Sequence, residues 1–345
     1  MKRLGDVFKA FRDEFYEELL DKHPYDSKYH LEVDVWTHTM LVFNEARKSN
    51  NLNYAVAALL HDVGKQKAKF TDETGRTLFR GHEGISTYMA IDFLFRMKQL
   101  NLVDNPLSIL YMINYHGMFW QKSEKQLKKL FLNENDYPVY NDVYEFSKFD
   151  QAGNISFEFN RENKEKLLLG NLTKNNLKEY DGNKPNCYLL IGIPNSGKST
   201  HTKKYLKDKP VLSRDDLLME YGKRYGKDLT YSEIWNKLTD TEQKDIDRLL
   251  DKRASELKRS DDDFVIDMTN VSWKSRVRHL NGLRNHNPIA VTFLTDYKEI
   301  MKRNKIREQE EGKNIPYHVL INMMRRFEMP LFGEGFTKLD FVVNS

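Results

Sequence analysis

The strongest constraint on the fold is a short segment in which an apolar run leads into a glycine-rich loop. Residues 187–191 read CYLLI, and residues 192–199 follow with the spacing G-x-x-x-x-G-K-S before a helical stretch. A buried strand, a loop of backbone N–H groups and a helix N-terminus together form an anion-binding nest. The segment therefore predicts a phosphate-binding loop in an α/β domain, and we call residues 192–199 the P-loop.

The P-loop indicates which residues would hold a nucleoside triphosphate. Lys198 is expected to reach the β- and γ-phosphates, and Ser199 is expected to ligate Mg²⁺. We therefore expect ATP or another NTP, with Mg²⁺, as the cofactor of this half of the chain. The nucleotide contacts expected in and beside the loop are Gly192, Asn195, Ser196, Gly197, Lys198, Ser199 and Thr200.

Further strand-like runs follow the P-loop, with helical segments between them. The runs read PVLSRDD, DFVIDMTN, IAVTFL and LDFVVNS. Strands that alternate with helices predict a mostly parallel sheet covered by helices on both faces. We expect residues 181–345 to form this α/β domain, with a helical lid and with Cys187 buried in the first strand.

Polar residues near the ends of these strands are candidates for phosphate-transfer chemistry. Asp215 could accept the proton of an attacking hydroxyl group, although capping of the next helix would also explain a carboxylate there. Arg303 and Arg307 stand four residues apart on one face of a predicted helix, which either closes over the nucleotide or forms a solvated charged face. The expected substrate-binding residues are Arg214, Asp216, Asp267, Asn270 and Arg276.

The first 150 residues have a different pattern. Apolar residues recur there at three- and four-residue spacing, as in YAVAALLHDVGK, which predicts helices. Residues 158–186 are instead rich in Lys, Asn and Glu and contain the turn-forming sequence DGNKP. We therefore expect an all-α domain with a C-terminal linker over residues 1–180.

Histidine and aspartate side chains recur at intervals of tens of residues along these helices, so they can meet only if successive helix ends pack together. Imidazole and carboxylate groups are good ligands for zinc, manganese, iron, cobalt or nickel, and two such ions can hold a phosphoryl group. A satisfied core or surface histidine is the competing explanation for each residue alone. Lys65 lies one helical turn beyond His61 and could offer a cation to the phosphate. The series comprises His38, His61, Asp62, His82, His116 and Asp150.

This series resembles the HD phosphohydrolase superfamily. The stretches YHLEVDVWTHTMLV, ALLHDVGK and FRGHEGIS also resemble the HD regions attached to bacterial tRNA nucleotidyltransferases. The resemblance implies hydrolysis of phosphoesters with one or two divalent transition metals, and it leaves His23 and His30 outside the ligand set. It implies one metal held by His38, His61, Asp62 and Asp150, and a second held by Asp62, His82 and His116.

The second half resembles the 5′-hydroxyl polynucleotide kinases of the P-loop phosphotransferase class in the pieces GIPNSGKST, SRDD, DMTN and KRNKIR. The resemblance implies that Asp215 is the general base and that Arg307 helps to bind the donor phosphates. The phage-type pattern has an arginine for the acceptor phosphate where this chain has Leu218. The residues left open as its replacement are Arg224, Arg276 and Arg278.

The order of the two halves resembles a bifunctional family that heals nucleic-acid ends. In that family the first module removes 2′,3′-cyclic phosphate or 2′/3′-phosphate ends, and the second phosphorylates 5′-OH ends with an NTP. The resemblance implies RNA or DNA ends as partners, with RNA favoured and a ligase acting downstream, and it leaves a homodimer open. Two alternatives remain: an HD nucleotidase fused to a small-molecule or nucleoside kinase, and a nucleotide sensor that regulates an HD hydrolase without transferring phosphate.

Composition adds broad limits. Hydrophobic residues make up 39% of the chain, which allows a packed core, and one cysteine excludes an internal disulfide framework. A net charge of +4 does not by itself indicate nucleic-acid binding, but it suits an enzyme that holds a few terminal nucleotides. We find no apolar run of the length of a signal peptide or membrane span, so we expect a cytoplasmic protein without membrane contact.

Overall fold

The computed structural model describes residues 2–20, 34–75, 77–131, 133–154, 179–226, 229–311 and 314–344, so His23 and His30 lie outside the described residues. The first half is helical, as the sequence predicts. Its helices in chain order are α1 (Lys2–Leu19), α2 (Val35–Ala46), α3 (Leu52–Leu60), α4 (Lys65–Ala68), α5 (His82–Gln99), α6 (Pro106–Tyr115), α7 (Met118–Gln121), α8 (Glu124–Leu130) and α9 (Tyr137–Ala152).

Capping side chains mark the starts of several of these helices. Asp34 accepts the backbone N–H of Thr37 at the start of α2, and Asn105 caps α6 with Pro106 at the first helical position. Helix α3 is buried at every residue from 55 to 60, because its apolar residues surround the helix axis. Helices α2, α6 and α9 pack against α3, and this packing brings their ends together.

A short ribbon departs from the all-helical expectation. Phe70–Thr71 (β1) and Thr77–Leu78 (β2) pair antiparallel. Between them, Asp72 accepts hydrogen bonds from the backbone N–H and the hydroxyl of Thr74, and Gly75 has a φ of +81°. Strands of two residues are too short to show a period-two pattern and therefore could not be predicted from the sequence.

The second half is built on a five-stranded sheet in which every pair of neighbouring strands described is parallel. The strand order is β4-β5-β3-β6-β7, and β6 is buried along its whole length because helices cover both faces. Its strands are β3 (Asn186–Ile191), β4 (Val211–Leu212), β5 (Phe264–Asp267), β6 (Asn287–Thr295) and β7 (Lys338–Asn344). The helices described here are α10 (Lys198–Tyr205), α11 (Arg214–Gly222), α12 (Tyr231–Lys237), α13 (Asp240–Leu257), α14 (Trp273–Leu280), α15 (Tyr297–Glu311) and α16 (Tyr317–Arg325).

The five strands coincide with the five runs predicted from the sequence, and Cys187 is buried in β3 as expected. The carboxyl ends of parallel strands meet at one edge of the sheet, where the P-loop leaves β3. Within the described ranges, every helix is too short or too polar to pass through a lipid bilayer.

The two halves share one continuous apolar core. The side chain of Asn114 in α6 donates to the carbonyl of Phe327 at 3.0 Å and accepts the N–H of Met329 at 2.8 Å. The hydroxyl groups of Tyr111 and Tyr115 donate to the carbonyls of Pro330 and Met329. The segment that follows α16 is therefore hydrogen-bonded along α6.

Two further contacts complete this junction. Asp136 accepts the N–H groups of Phe332 and Gly333 at 2.9 and 2.6 Å. Gly84 in α5 faces α16 so closely that a Cβ atom there would lie 2.1 Å from the carbonyl oxygen of Met324. We call the contacts of residues 324–333 with α5, α6 and Asp136 the seam.

Candidate metal centre and nucleotide site

The predicted metal ligands converge at one place in the helical half. Most of them stand at helix ends, and the packing around α3 brings these ends together, as the sequence required. The six are His38 from α2, His61 and Asp62 at the end of α3, His82 at the start of α5, His116 at the end of α6 and Asp150 from α9.

The first group of ligand atoms comes from His38, His61 and Asp150, and these atoms all lie within 4.8 Å of one another. The Nε2 atoms of His38 and His61 are 3.3 Å apart. Oδ1 of Asp150 lies 3.2 Å from the His38 Nε2 and 3.6 Å from the His61 Nε2. Two imidazoles and one carboxylate therefore point at a common position.

Asp62 joins this group to a second one. Its Oδ2 lies 3.4 Å from Nε2 of His38 and 3.1 Å from Nε2 of His61. Its Oδ1 instead lies 3.1 Å from Nε2 of His82 and 4.0 Å from Nε2 of His116. The two oxygens of one carboxylate thus face different pairs of histidines, which is the geometry of a bridging ligand.

Backbone carbonyl groups orient three of the imidazole rings. His61, His82 and His116 each place Nδ1 2.7–2.9 Å from the carbonyl oxygen of the residue three positions earlier. A carbonyl oxygen can only accept, so Nδ1 carries a proton and Nε2 is the nitrogen that faces the centre and is left for a metal.

The arrangement of these nitrogen and oxygen atoms suits the binding of divalent cations better than hydrogen bonding between the side chains. The Nε2 atoms of His38 and His61 face each other at 3.3 Å and those of His82 and His116 at 3.1 Å, and neither oxygen of the buried Asp62 has a hydrogen bond of ordinary geometry. Burial, followed by the neighbouring His82 and His61, lowers the pKa of His116 to about 4, which keeps this ring neutral. Imidazole and carboxylate ligands suit zinc, manganese, iron, cobalt or nickel.

Two charged residues flank the centre. Lys65 is buried and places Nζ 2.6 Å from Oδ2 of Asp62. Burial alone would raise the pKa of Asp62, but the charges of His61 and Lys65 hold it well below its ordinary value. Glu83, which sequence reasoning missed, lies beside His82 with Oε2 3.5 Å from Nδ1. Its position directly after a predicted ligand was the available signal.

The P-loop connects β3 to α10 with two residues in the left-handed region. Asn195 has a φ of +66° and Gly197 a φ of +94°. Such backbone lets successive N–H groups turn towards one anion. Nζ of Lys198 donates to the carbonyls of Gly192 and Ile193 at 2.8 and 3.2 Å, so it already lies over the loop.

Residues at the carboxyl ends of β6 and β7 donate hydrogen bonds to the P-loop. The hydroxyl of Thr295 and the amide of Asn344 donate to the carbonyl of Ser196 at 2.9 and 3.0 Å. Neither residue was predicted as part of the site. Ser199 and Thr200, predicted to contact Mg²⁺ and nucleotide, are exposed in the first turn of α10.

Helix α15 brings both predicted arginines to the P-loop. Arg303 donates to the carbonyl of Asn195 at 3.2 Å and to the carboxylate of Glu299 at 2.8 Å. Arg307 donates to Oδ1 of Asn195 at 3.4 Å, and Asn304 accepts from the same side chain. This face of α15 therefore packs against the loop, which disfavours the alternative of a purely solvated face.

The acidic residues also gather beside the loop. Ser213 caps α11 by accepting the N–H of Asp216, so capping does not explain the two following carboxylates. Burial lowers the pKa of Lys198, and the charges of Asp267 and Asp215 act against it. Burial raises the pKa of Asp267, and the charges of Asp215 and Asp216 add to the effect. The three carboxylates and Lys198 thus share one electrostatic environment.

The structure corrects two of the expected substrate contacts. Arg276 is fully buried and holds the carboxylate of Glu334 through Nε and Nη2 at 2.6 and 2.7 Å. The Nη1 group of Arg276 donates to the carbonyl of Asn270. Asn270 is buried as well and donates its side-chain amide to the carbonyl of Leu190. Both residues therefore support the backbone and do not reach a substrate.

The structure also places the residues that bear on the acceptor phosphate. Leu218 is buried, Arg224 packs over the ring of Tyr221, and Arg278 pairs with Asp251 on α13. Arg214, directly before Asp215, remains beside the acidic residues.

Two aromatic residues near Asp215 were missed in the sequence. The hydroxyl of Tyr231 donates to Oδ1 of Asp215 at 3.2 Å. The ring of Trp235 stacks against Tyr231, with centroids 6.2 Å apart and planes at 12°. The signal was an aromatic pair four residues apart in YSEIW.

Comparison with protein families separates the chain into two regions. Residues 35–140 match the family described as the HD domain, and residues 188–330 match the family described as the AAA domain.

Individual relatives are more distant. The chain is 26% identical over 147 residues to heterogeneous nuclear ribonucleoprotein U-like protein 2 of Mus musculus, and 25% identical to that of Homo sapiens. The match covers 41% of this chain and spans 19% of the length of those proteins. A solved structure of a candidate kinase from Chloroflexus aurantiacus covers 47% of this chain and 87% of its own, at 16% identity and a TM-score of 0.35.

Proposed function

We propose that this chain, an HD phosphohydrolase-type domain followed by a P-loop kinase-like domain, prepares RNA ends for ligation. The first domain would remove 2′,3′-cyclic phosphate or 2′/3′-phosphate, and the second would phosphorylate the 5′-OH end. The observation that best supports this proposal is that one chain holds both a bridged cluster of metal-ligand residues and a P-loop with a carboxylate beside it. The similarity to proteins named ribonucleoproteins supports RNA as the nucleic acid.

In the phosphoesterase step, the residues of the chain would bind and orient the phosphate. The four histidines, Asp62 and Asp150 would hold two divalent ions, which when bound supply Lewis acidity and lower the pKa of water. Lys65 would add a fixed positive charge beside Asp62, where the phosphoryl oxygens must come.

In the kinase step, Asp215 would accept the proton of the 5′-hydroxyl while its oxygen attacks the γ-phosphorus. The bond between the γ-phosphorus and the β–γ bridging oxygen would break, and the nucleoside diphosphate would leave. Lys198 and Arg307 would stabilise the charge that spreads over the transferred group. The contact of α15 with Asn195 supports this role for Arg307.

One experiment tests both halves. Purified protein is incubated with ATP, a divalent metal and an RNA that carries a 5′-OH and a 2′,3′-cyclic phosphate, and both ends are followed. We expect a 5′-phosphate and a free 3′-hydroxyl.

Two further assays, run in parallel, distinguish this function from the alternatives. Faster phosphorylation of free nucleosides than of the RNA would contradict the proposal in favour of a small-molecule kinase. An ATP-dependent activity that survives Asp215→Ala would instead favour a nucleotide sensor.

A further inference from the structure

We propose that Trp235, Tyr231 and Arg214 form the acceptor subsite of the kinase half, in which the terminal base of a single-stranded 5′-OH end stacks on Trp235. The inference rests on the proposed function and specifies how the acceptor is held.

The first observation is an exposed indole that stacks on a second aromatic ring. Trp235 is 40% exposed, although burial of so large an apolar side chain would be favourable. Its ring is stacked with Tyr231 one turn earlier on α12, and a capping box between Thr230 and Glu233 fixes the start of that helix. Base stacking requires an aromatic side chain that a base can reach from solvent, and such stacking accepts any base.

The second observation ties this face to the reacting group. Tyr231 donates its hydroxyl proton to Asp215, the proposed general base, at 3.2 Å. Burial, followed by the charge of Asp215, raises the pKa of Tyr231 to about 12, so the hydroxyl remains a donor at neutral pH. A base on Trp235 therefore belongs to the nucleoside whose hydroxyl meets Asp215, and Tyr231 acts as a positioning residue for that carboxylate.

The third observation supplies charge complementarity. The guanidinium of Arg214 lies 5.5 Å from the centroid of the Trp235 ring. Its Nε pairs with Asp247 at 3.0 Å, but that carboxylate is 54% exposed, and an exposed pair of this kind is weak. Arg214 can therefore bind the phosphate that follows the terminal nucleoside, a task that the buried Leu218 cannot perform.

The test measures kcat and KM for phosphorylation of a single-stranded 5′-OH RNA and of the same RNA with an abasic 5′-terminal residue. For Trp235→Ala we expect KM for the intact RNA to rise about 10-fold with little change in kcat. The wild type should show a similar rise with the abasic RNA, and the variant should show no further rise, because the two changes remove one interaction.

Three variants sharpen the result. Trp235→Phe keeps a ring and should retain most of the affinity. Tyr205→Ala removes an aromatic side chain that is 61% exposed at the end of α10, and it should leave KM unchanged. Tyr231→Phe keeps the stacking ring but removes the hydrogen bond to Asp215, so kcat should fall while KM stays constant.

The outcomes separate the two proposals. Suppose that the wild type is active. If Trp235→Ala then has the same KM as the wild type, or if the wild type has the same KM for the abasic and the intact RNA, this inference is overturned and the proposed function stands. If Trp235→Ala does not fold, the inference is decided by two other measurements: the KM of the wild type for the abasic RNA and the KM of Trp235→Phe. A wild type that phosphorylates no 5′-OH RNA would overturn the proposed function and this inference with it.

Discussion

Asp62 is the residue at which the two histidine groups meet. Each of its oxygens faces a different pair of imidazoles, and Lys65 lies against one of them. A neutral amide at this position keeps the shape of the side chain but loses the charge that two cations require, so the effect of replacing Asp62 is expected to be chemical more than structural.

We predict that Asp62→Asn lowers phosphoesterase activity by more than about 100-fold and reduces the bound divalent metal, because first-sphere ligands matter at least as much as outer ones. Phosphorylation of 5′-OH ends should continue. Metal analysis by mass spectrometry and separate assays of both activities check this. Asp104→Asn, at an exposed carboxylate of the same half, is the matched control. Loss of both activities from a folded variant would contradict the two-site arrangement.

Asp136 makes a pH-dependent contribution to the seam. Burial raises its pKa to about 7, against the lowering effect of the Gly333 and Phe332 N–H groups. An aspartate in an unfolded chain has a pKa of about 3.9, so between roughly pH 4 and 7 the folded state holds a proton that the unfolded state has released. The stability that Asp136 contributes is therefore fully present below about pH 4 and is lost as pH rises through about 7.

We predict that wild-type stability, measured relative to Asp136→Asn, falls as pH rises from about 5 to 8, by up to about 1.4 kcal/mol per pH unit. Urea unfolding of both proteins at the two pH values measures the trend, and any constant effect of the amide cancels. A difference independent of pH would show that Asp136 is charged in the folded state throughout this range.

Residue identities were predictable from the sequence where a chemical role restricts the residue type. The histidine series and the P-loop are of this kind. Arg276 was predicted to bind substrate because the sequence shows the charge of this residue but not its partner. That partner is Glu334, which lies 58 positions further along the chain. Trp235 was missed for a related reason: an aromatic residue at helical spacing reads as core unless its exposure is known.

At the scale of elements, α5 is the helix that touches both sites. It begins with His82 in the metal centre and packs Gly84 against α16. Tyr88, one turn further on, is buried against Phe327, and α5 also packs against α15, the helix that contacts the P-loop. The helix itself was readable from its apolar spacing, whereas the glycine inside it was explained only by the close approach of a second backbone.

We predict that Gly84→Ala destabilises the protein by about 1–3 kcal/mol, since the new methyl group would overlap the Met324 carbonyl and push α16 away. Gly5→Ala is the matched control in α1, where nothing lies within 4 Å of the added atom. There the gain in helix propensity should stabilise by about 0.5–1 kcal/mol. Denaturant unfolding measures both, and equal effects of the two changes would contradict the role of Gly84.

At the scale of the whole molecule, the fold class of each half was predictable and their junction was not. Helical spacing and the alternation of strands with helices are local patterns, and both were confirmed. The seam joins residues more than 200 positions apart, such as Asn114 and Met329, and a contact of that kind leaves no periodic signal in either segment. The apolar core that the two halves share predicts that they unfold together, which a denaturant titration followed separately in each half would measure.

The contacts of the seam predict that the two halves would stay together without the peptide connection between them. A chain interrupted between residues 154 and 179 and produced as two polypeptides should complement in the cell as a heterodimer that co-purifies through a tag on either piece. A bulky Gly84→Trp in the first piece should prevent the pairing, whereas Gly5→Ala should permit it. Separate elution of the unaltered pieces would show that the covalent link is essential. Co-purification would show that the molecule behaves as a protein complex encoded as one chain.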